Sequence, residues 1–384
     1  MKKIYLDYAA STPIDPRVLK VLNSQLKNNF ANSMSLHFFG QKAALAVEES
    51  RRKIARIINA KEDEIIFTSS ATESNNLAIK GVAFAAKKRG KNHLIVSSIE
   101  HDCVLESAKW LKTQGFDVSF LSVDKFGFVN LEELEKLINK KTFLVSVIHA
   151  NNEIGTIQDI TSIGRICRKK GVYFHTDAAQ SFAREDIDVQ KMNIDLLTAS
   201  SHKIYGPKGI AFLYVKKGVL IEPILHGGGH ENGLRSSTLN VPSIVGFAAA
   251  AEIMRKEAKK ENKRLKKLRD YMIKKILTTI PRTHLNGHPE RRLANNINIS
   301  FNGVEGEALV MELSFAGVAV STGSACSSKN LMPSHVLCAL GLPPQEAHGS
   351  LRISLGRDTK KEEVDYTISV LKKTVERLRK ISPF

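Results

Sequence analysis

Cysteine is scarce in this 384-residue sequence. Cys103, Cys167, Cys326 and Cys338 are its only cysteines, and no two of them stand in C-x-x-C spacing. This scarcity argues against a disulfide framework and against a zinc site. Unpaired thiols are typical of a reducing compartment, so we expect a cytoplasmic protein in which a thiol can serve chemistry.

Long hydrophobic runs are missing as well. No stretch approaches the ~18 uninterrupted apolar residues of a membrane-spanning helix, so we expect no membrane partner. The basic start of the chain meets Asp7 before any apolar segment, which is unlike a secretory leader. No internal repeat, low-complexity segment or long Gly/Pro/Ser linker divides the sequence.

Acidic residues are too few to balance the basic ones. The sequence has 39 Asp and Glu against 57 Lys and Arg, a formal net charge of +18. Such an excess indicates either a nucleic-acid or acidic-protein partner, or a solvated helix face. Between residues 255 and 275, basic residues alternate with Leu265, Leu268 and Met272 at helical spacing. Because no aromatic ladder for stacking bases accompanies them, the pattern favours a solvated face.

Apolar runs alternate with helical patterns through the first two-thirds of the chain. The predicted strands are 64–68, 93–97, 117–121, 143–148, 173–177, 196–200 and 210–215, and the predicted helices between them include 73–89, 101–114, 131–138 and 161–169. This alternation indicates an α/β fold with a mostly parallel sheet covered by helices on both faces. Ligands of such sheets bind at the carboxyl ends of the strands.

The pattern changes after Pro242. A basic helix at about 244–277, a polar-apolar strand at 295–301 and a final helix at about 361–380 predict a smaller α+β domain. We therefore expect a large domain at 16–245 and a small domain formed by 1–15 and 246–384.

Residues just beyond three predicted strands are suited to chemistry. Lys203 lies in SSHKIYGPKG, where an amine flanked by hydroxyls and an imidazole can form a Schiff base. Asp177 ends a strand, where a buried carboxylate can pair with a protonated pyridine nitrogen. The hydroxyls and amides of 68–75 suit a phosphate. Each has a simpler interpretation: a surface charge, a helix N-cap, and a capping box of Ser70 with Glu73.

Seven ordered blocks together are more specific than any one of these residues. The blocks are SATES, EHDCV, HANNEIG, HTDAAQS, SSHKIYGPKG, GGGHENGLRSSTLN and STGSACSS. In this order they resemble the cysteine desulfurases of the class-V aminotransferase family, which have pyridoxal-phosphate fold type I. The resemblance extends from YLDYAA at 5–10 to SLRISLGR at 350–357, nearly the whole chain.

The resemblance implies a set of residues for pyridoxal 5'-phosphate and for the substrate. The implied cofactor contacts are Lys203 bonding the cofactor, His101 stacking on its ring, Asp177 at the ring nitrogen, Gln180 at the phenolic oxygen, and Ala71, Thr72, Ser200 and His202 at the phosphate. Asn152 and Arg352 would orient the substrate, with Arg352 meeting its carboxylate. Thr238 would reach the phosphate of the other subunit's cofactor, which implies a homodimer.

Cys326 decides which reaction the resemblance implies. It lies among small and polar residues in STGSACSSKN, which predicts a mobile loop, whereas Cys103, Cys167 and Cys338 stand among apolar helical residues and are interpreted as structural. L-cysteine would lose its sulfur to Cys326 as a persulfide and leave as alanine, with His101 or the local field activating the thiol. The resemblance implies that the sulfur passes to an iron–sulfur scaffold protein, which would contact Cys326 transiently, and that it can also supply tRNA thiolation.

Two departures and three alternatives accompany this interpretation. Ser237 stands where many relatives have Gly, which would strain a turn that needs positive φ, and Asn232 stands where relatives often have Arg. A selenocysteine lyase or a small-amino-acid aminotransferase on the same fold would share most of the motifs. A basic RNA-associated protein would explain the charge but not the strand-end Lys, Asp and Thr.

Overall fold

The computed structural model describes residues 3–323 and 333–381. In chain order the strands are β1 (Ile4–Tyr5), β2 (Ile65–Thr68), β3 (His93–Ser97), β4 (Asp117–Leu121), β5 (Thr142–Ser146), β6 (Tyr173–Asp177), β7 (Leu196–Ser200), β8 (Ala211–Val215), β9 (Thr283–Leu285), β10 (Asn296–Phe301), β11 (Val318–Ala319) and β12 (Ser350–Ser354). Strands β2 to β8 form one sheet with the order β2-β8-β7-β6-β5-β3-β4. Strand β8 is antiparallel to both neighbours, and the other pairs are parallel.

Helices cover this sheet and the smaller ones. In chain order they are α1 (Pro16–Asn28), α2 (Phe38–Ile57), α3 (Ala71–Asn76), α4 (Val82–Lys87), α5 (Asp102–Thr113), α6 (Leu131–Leu137), α7 (Ile160–Lys170), α8 (Val241–Thr279), α9 (Gly306–Phe315), α10 (His335–Ala339), α11 (Pro344–His348) and α12 (Lys361–Ile381). A π turn at Leu77–Gly81 joins α3 to α4. None of the helices within 3–323 and 333–381 has the length and apolar content that crossing a bilayer requires.

The α/β architecture predicted from the alternating pattern is confirmed. Four of the seven predicted strands have the same bounds in the structure, and the others differ by one or two residues at an end. The largest difference is at β5, which ends at Ser146 although the apolar run continues to Ile148. Ile148 leaves the ladder because its amide donates to the Glu100 carboxylate at 2.5 Å. The apolar run therefore overstates the strand by two residues.

Two hydrophobic cores are joined by the longest described helix. Phe182, Phe212 and Phe247 pack with their ring centroids 5.1–5.9 Å apart in the core beside the large sheet. A second core lies against the sheet β12-β10-β9. The first half of α8 packs in the first core, and its second half, including Leu265 and Met272, packs in the second.

Most basic side chains of α8 lie on its outer face, as the solvated-face interpretation predicts, but Arg269 is buried and donates to the carbonyl oxygens of Arg292 and Leu293. Leu265 and Met272 are fully buried and Leu268 is partly buried, whereas the lysines between them are exposed. Alternating lysines and apolar residues thus mark one amphipathic helix.

The segment before α8 contains a strained residue. Ser237 has φ 143°, a region that L-residues rarely adopt, so the strain predicted for a serine at this position is present. Asn232, the other departure, has φ 57°, which asparagine tolerates better than most residues. Only the serine substitution therefore carries a conformational cost.

Replacing Ser237 with Gly should stabilise the protein. The strain costs roughly 1–3 kcal/mol, and the entropy that Gly loses on folding offsets about 0.5–1 kcal/mol of the gain. We expect a net increase of about 1 kcal/mol, seen as a Tm rise of roughly 1–2 °C by scanning calorimetry. Ser33→Gly, in a loop position without positive φ, is the matched control and should lower the Tm. A lower Tm for Ser237→Gly would contradict the assignment of strain.

Candidate active site

A cavity of about 360 Å³ opens where several strands of the large sheet end. Its volume lies within the ~300–1,000 Å³ typical of small-molecule sites. Nine of the residues predicted for the site line it together: Ala71, Thr72, His101, Asn152, Asp177, Gln180, His202, Lys203 and Arg352. They end or follow β2, β3, β5, β6 and β7, and Arg352 lies within β12 of the small sheet, so residues far apart in sequence meet at one cavity.

Three predicted residues do not line this cavity within the described part of the chain. Ser200 is buried at the last position of β7, directly before the turn that carries the lysine. Thr238 is exposed in the segment before α8. Cys326 lies outside the described residues, between Gly323 and His335, both of which line the cavity.

Lys203 ends a single 3₁₀ turn, Ser201–Lys203, which follows β7 without a break. Its Nζ donates to the carbonyl oxygens of Ala9 at 2.7 Å and Ala10 at 2.8 Å. The Gln180 amide also donates to the Ala9 carbonyl, at 2.9 Å. The N-terminal segment therefore holds the amine and the neighbouring amide on the same side of the cavity.

Asp177 is the last residue of β6 and is buried. Its Oδ1 accepts from the Ala179 amide at 2.8 Å, and its Oδ2 accepts from the Asn75 side-chain amide at 2.7 Å. The N-cap interpretation fails, because no helix starts at this residue. Two fixed donors leave the carboxylate oriented as an acceptor toward the cavity.

The start of α3 is suited to an anion. Ser70 caps this helix by accepting from the Glu73 amide at 3.1 Å, which confirms the cap. The reciprocal half of the predicted capping box is wrong, because the Glu73 carboxylate accepts from the Ser69 amide, at 2.8 Å, instead of the Ser70 amide. The amides of Ala71 and Thr72 make no hydrogen bond to other described residues. These two donors stand at the positive end of the helix, so they are available to a phosphate. The Ser70 cap is thus compatible with an anion at these two amides.

His202 stands on the other side of this anion site. Burial, reinforced by the charges of Lys203 and Lys208, lowers its pKa to about 4. Its Nδ1 lies 3.2 Å from the Ser11 hydroxyl oxygen. At neutral pH it is therefore an uncharged ring that can donate one hydrogen bond.

Arg352 has hydrogen-bonding capacity to spare. Its Nη2 pairs with the Asp7 carboxylate at 3.0 Å, and its Nη1 lies 3.4 Å from the carbonyl oxygens of Asn152 and Gly323. Its Nε is buried and has no partner among the described residues. An orphaned donor on a cavity-lining guanidinium suits a substrate carboxylate.

Glu100 lines the cavity although its sequence position did not single it out. Burial raises its pKa to about 8, opposed by hydrogen bonds from the Ser97 hydroxyl and the Ile148 amide, while the charge of Asp177 raises it further. Its Oε2 is buried and has no hydrogen-bond partner in the described part of the chain. Its place directly before His101 in EHDCV was the available signal.

The structural interpretation of the cysteines holds for one of the three described ones. Cys167 is buried in the main core. Cys338 is exposed instead of buried. Cys103 is partly buried and lines the cavity, with Sγ 3.1 Å from Nδ1 of His101, so its interpretation as a plain core residue is wrong. Cys103 lies two residues after His101, in the first turn of α5, and this position brings its thiol into the site.

A larger cavity of about 590 Å³ lies between α9, α11 and the end of α12. Its described lining includes Val304, Ala308 and Leu378 and contains neither Lys nor Asp. Ligand chemistry therefore favours the smaller cavity.

The smaller cavity fits pyridoxal 5'-phosphate. Lys203 supplies an amine, Asp177 an acceptor for a ring nitrogen, and the amides of Ala71 and Thr72 two unpaired donors for a phosphate. The unpartnered Nε of Arg352 remains for an amino-acid carboxylate. Each polar part of the cofactor thus has a complementary group.

Comparison with known proteins gives the same family. Residues 4–367 match the family described as aminotransferase class-V. Cysteine desulfurase IscS of Dictyoglomus turgidum is 49% identical over 383 residues, which cover 100% of this chain and 97% of that protein. Cysteine desulfurase IscS 1 of Archaeoglobus fulgidus is 50% identical over 379 residues, 99% of this chain and 98% of that protein.

Solved structures agree with the fold. A NifS-like protein superimposes with a TM-score of 0.92 at 39% identity, over 98% of this chain and 100% of that one. A structure described as SspA in complex with cysteine gives a TM-score of 0.82 at 41% identity, over 92% and 98%. The chain belongs to the class-V aminotransferase family and, within it, to the cysteine desulfurases, which are pyridoxal-phosphate enzymes.

Proposed function

We propose that this chain takes sulfur from L-cysteine, holds it on Cys326 as a persulfide and passes it to acceptors for iron–sulfur cluster assembly. The observation that carries the proposal is the meeting of Lys203, Asp177 and Arg352 in one cavity. Bound pyridoxal phosphate supplies an electron sink that makes the Cα–H bond of an amino acid ionisable. The protein residues decide what is bound, how it is oriented and where its sulfur goes.

The cofactor would be held by bonds at four of its polar or reactive groups and by stacking on its ring. Lys203 Nζ would bond its aldehyde carbon, Asp177 would accept from its ring nitrogen, and Gln180 would donate to its phenolic oxygen. The phosphate would sit against the amides of Ala71 and Thr72, with Ser200 and His202 beside them. His101 would stack on the ring. The buried position of Asp177, with both oxygens already oriented by donors, supports this arrangement.

The substrate would be oriented by its carboxylate. Arg352, which lines the cavity, would bind it, assisted by the side chain of Asn152. Once displaced from the cofactor, Lys203 Nζ would take the proton from the substrate Cα. The Ala9 and Ala10 carbonyls would hold the amine in reach, because they are its hydrogen-bond acceptors at 2.7 and 2.8 Å.

Sulfur transfer would be the task of Cys326. Its Cα stands three residues from Gly323, so the chain allows at most roughly 10–11 Å between them, and Gly323 lines the cavity. The Cys326 thiolate would form an S–S bond to the substrate sulfur as the Cβ–S bond breaks. The electron pair of that bond and two protons would complete alanine, and the enzyme would keep a persulfide. The balance is L-cysteine plus thiol giving L-alanine plus persulfide.

Purified, cofactor-loaded protein should convert L-cysteine to alanine and, with a reductant, release sulfide in equal amount. Cys326→Ser should lower both products by at least about 10³-fold, because the nucleophile is lost. Cys338→Ser is the matched control at an exposed thiol and should leave both rates unchanged. Amino-acid analysis and sulfide assay give the two readouts.

Other outcomes would identify other enzymes on this fold. Full activity of Cys326→Ala toward an amino acid would favour an aminotransferase, which has no use for that thiol. Turnover of selenocysteine without turnover of cysteine would favour a selenocysteine lyase. The comparisons favour neither, since the relatives are named cysteine desulfurases.

A homodimer would complete the site. Six apolar side chains are exposed on one segment, which we call the apolar segment: Phe30, Met34, Leu36, Phe38, Phe39 and Leu45. A cleft lined by Met34 on one side and by His230 and Leu239 on the other places the exposed Thr238 beside this segment. A second copy packed on the apolar segment would bury it and bring Thr238 to its partner's phosphate site.

Light scattering after size exclusion tests the dimer. We expect wild type to have twice the 42.5 kDa chain mass, and Leu36→Asp with Phe38→Asp to have the mass of one chain. Leu36 is 91% exposed and Phe38 71%, so charges there cost little in an isolated chain. Met311→Asp with Phe315→Asp, exposed on α9, is the matched control and should remain dimeric. A double variant of the apolar segment that stays dimeric would place the interface elsewhere.

The chain organisation supports the proposed division into a large domain at 16–245 and a small domain formed by 1–15 and 246–384. Ile4 and Leu6 pack in the second core, and β1 pairs with β11 of the same part. The limit at 245 falls inside α8, so a rigid helix would connect the two domains. We place the enzyme in the cytoplasm, where a reducing environment keeps Cys326 available.

A further inference from the structure

Four side chains form a hydrogen-bonded chain along one wall of the cavity. Asn75 Nδ2 lies 2.7 Å from Asp177 Oδ2 and 3.1 Å from Cys103 Sγ. Cys103 Sγ lies 3.1 Å from His101 Nδ1. These four residues come from β6, α3 and the start of α5, so the hydrogen bonds connect one strand of the large sheet with two helices. Its order is Asp177, Asn75, Cys103, His101.

The orientation of Asn75 is fixed by its neighbour. A rotation of its amide by 180° would place Oδ1 against the Asp177 carboxylate, where two acceptors would repel each other. Nδ2 therefore faces Asp177, and its second hydrogen points to the sulfur of Cys103. Asn75 is fully buried and its Oδ1 has no partner among the described residues, so solvent does not compete for this arrangement. Cys103 receives a hydrogen bond from Asn75.

The ring of His101 is fixed by the helix it begins. His101 is the N-cap of α5, and its Nδ1 accepts from the Cys103 amide at 3.2 Å. The amide hydrogen of Cys103 points at Nδ1, so this bond favours Nδ1 as an acceptor and the ring proton on Nε2. The one hydrogen of the Cys103 thiol then has Nδ1 as its acceptor, since Asn75 offers the sulfur only a donor.

The thiol of Cys103 keeps its hydrogen. Burial raises its pKa to about 12, with the charges of Asp177 and Glu100 adding to the increase and hydrogen bonds from Asn75 and Thr72 opposing it. At neutral pH the sulfur is therefore a donor and a poor nucleophile.

We propose that Cys103 is a positioning residue: its thiol donates to Nδ1 of His101, while Asn75 holds the sulfur in place against Asp177, and together they keep the imidazole proton on Nε2. This rests on the proposed function, in which His101 faces the cofactor. A neutral ring with a fixed Nε2–H can donate toward the reacting atoms without adding a positive charge beside them. Of the two thiols assigned to this region, one takes sulfur and the other orients the histidine.

Histidine tautomers are read directly by two-bond ¹H–¹⁵N NMR of cofactor-free protein labelled with ¹⁵N-histidine. His101→Gln identifies the signal by its loss. We expect a pyridine-type Nδ1 and a pyrrole-type Nε2 in wild type. Cys103→Ala keeps the backbone amide donor but loses the thiol donor, so its Nδ1–H population should be larger than in wild type. Cys103→Ser, whose hydroxyl can donate in the same place, should restore the wild-type pattern. An unchanged pattern in Cys103→Ala, or a proton on Nδ1 in wild type, would overturn the proposal.

Thiol reactivity of the unmodified protein gives a second measurement that needs no variant to fold. With iodoacetamide at pH 8, we expect Cys103 to be alkylated on the order of 100-fold more slowly than the exposed Cys338, because little of it is thiolate. Equal rates at the two cysteines would contradict a hydrogen-bonded, protonated thiol. Neither the NMR pattern nor the alkylation rate depends on turnover. A protein that releases no alanine would refute the proposed function, whereas the role of Cys103 would still be decided by these two measurements.

Discussion

Parallel strands present their carboxyl ends at one edge of a sheet, and the site of this protein depends on that constraint. Strands β2, β6 and β7 end with the start of α3, with Asp177 and with the turn that carries Lys203. Strand β8 runs antiparallel between β2 and β7, so those two strands point the same way and their ends meet. The path of the backbone thereby brings three groups to one cavity: the amides at the start of α3, the Asp177 carboxylate and the Lys203 amine.

Burial decides which groups around this edge keep a charge. Glu100 and Glu153 have raised pKa values because both are enclosed, and enclosure lowers the pKa of His175 to about 4. Asp177 lies between two amide donors, and Arg352 pairs with the Asp7 carboxylate. Enclosure therefore favours the neutral forms of Glu100, Glu153 and His175, beside the carboxylate and the guanidinium that a pyridine nitrogen and an amino-acid carboxylate would meet.

The fold and most of the residues that line the cavity could be predicted from the sequence, because the patterns that indicate them are local. Strands buried on both faces are continuous apolar runs, so their bounds were predicted within two residues, and the residues after them stand in short motifs. Contacts between distant segments had no such signal. Nothing local indicates that the Ala9 carbonyl accepts from Lys203, 194 positions away. Cys103 was misjudged because its apolar neighbours in sequence concealed the polar neighbours, Asn75 and His101, that the fold gives it.

Chemical trapping of the cofactor shows directly whether Lys203 is the amine that holds it. Borohydride reduction of the loaded protein fixes the cofactor to the amine that holds it, and fragmentation of the modified peptide identifies the lysine. We expect the added mass on Lys203. Lys208, which lies five residues further along the chain and is exposed, should be unmodified. The added mass on any other lysine, or no covalent attachment at all, would contradict the convergence of this amine, Asp177 and the start of α3 on one ligand.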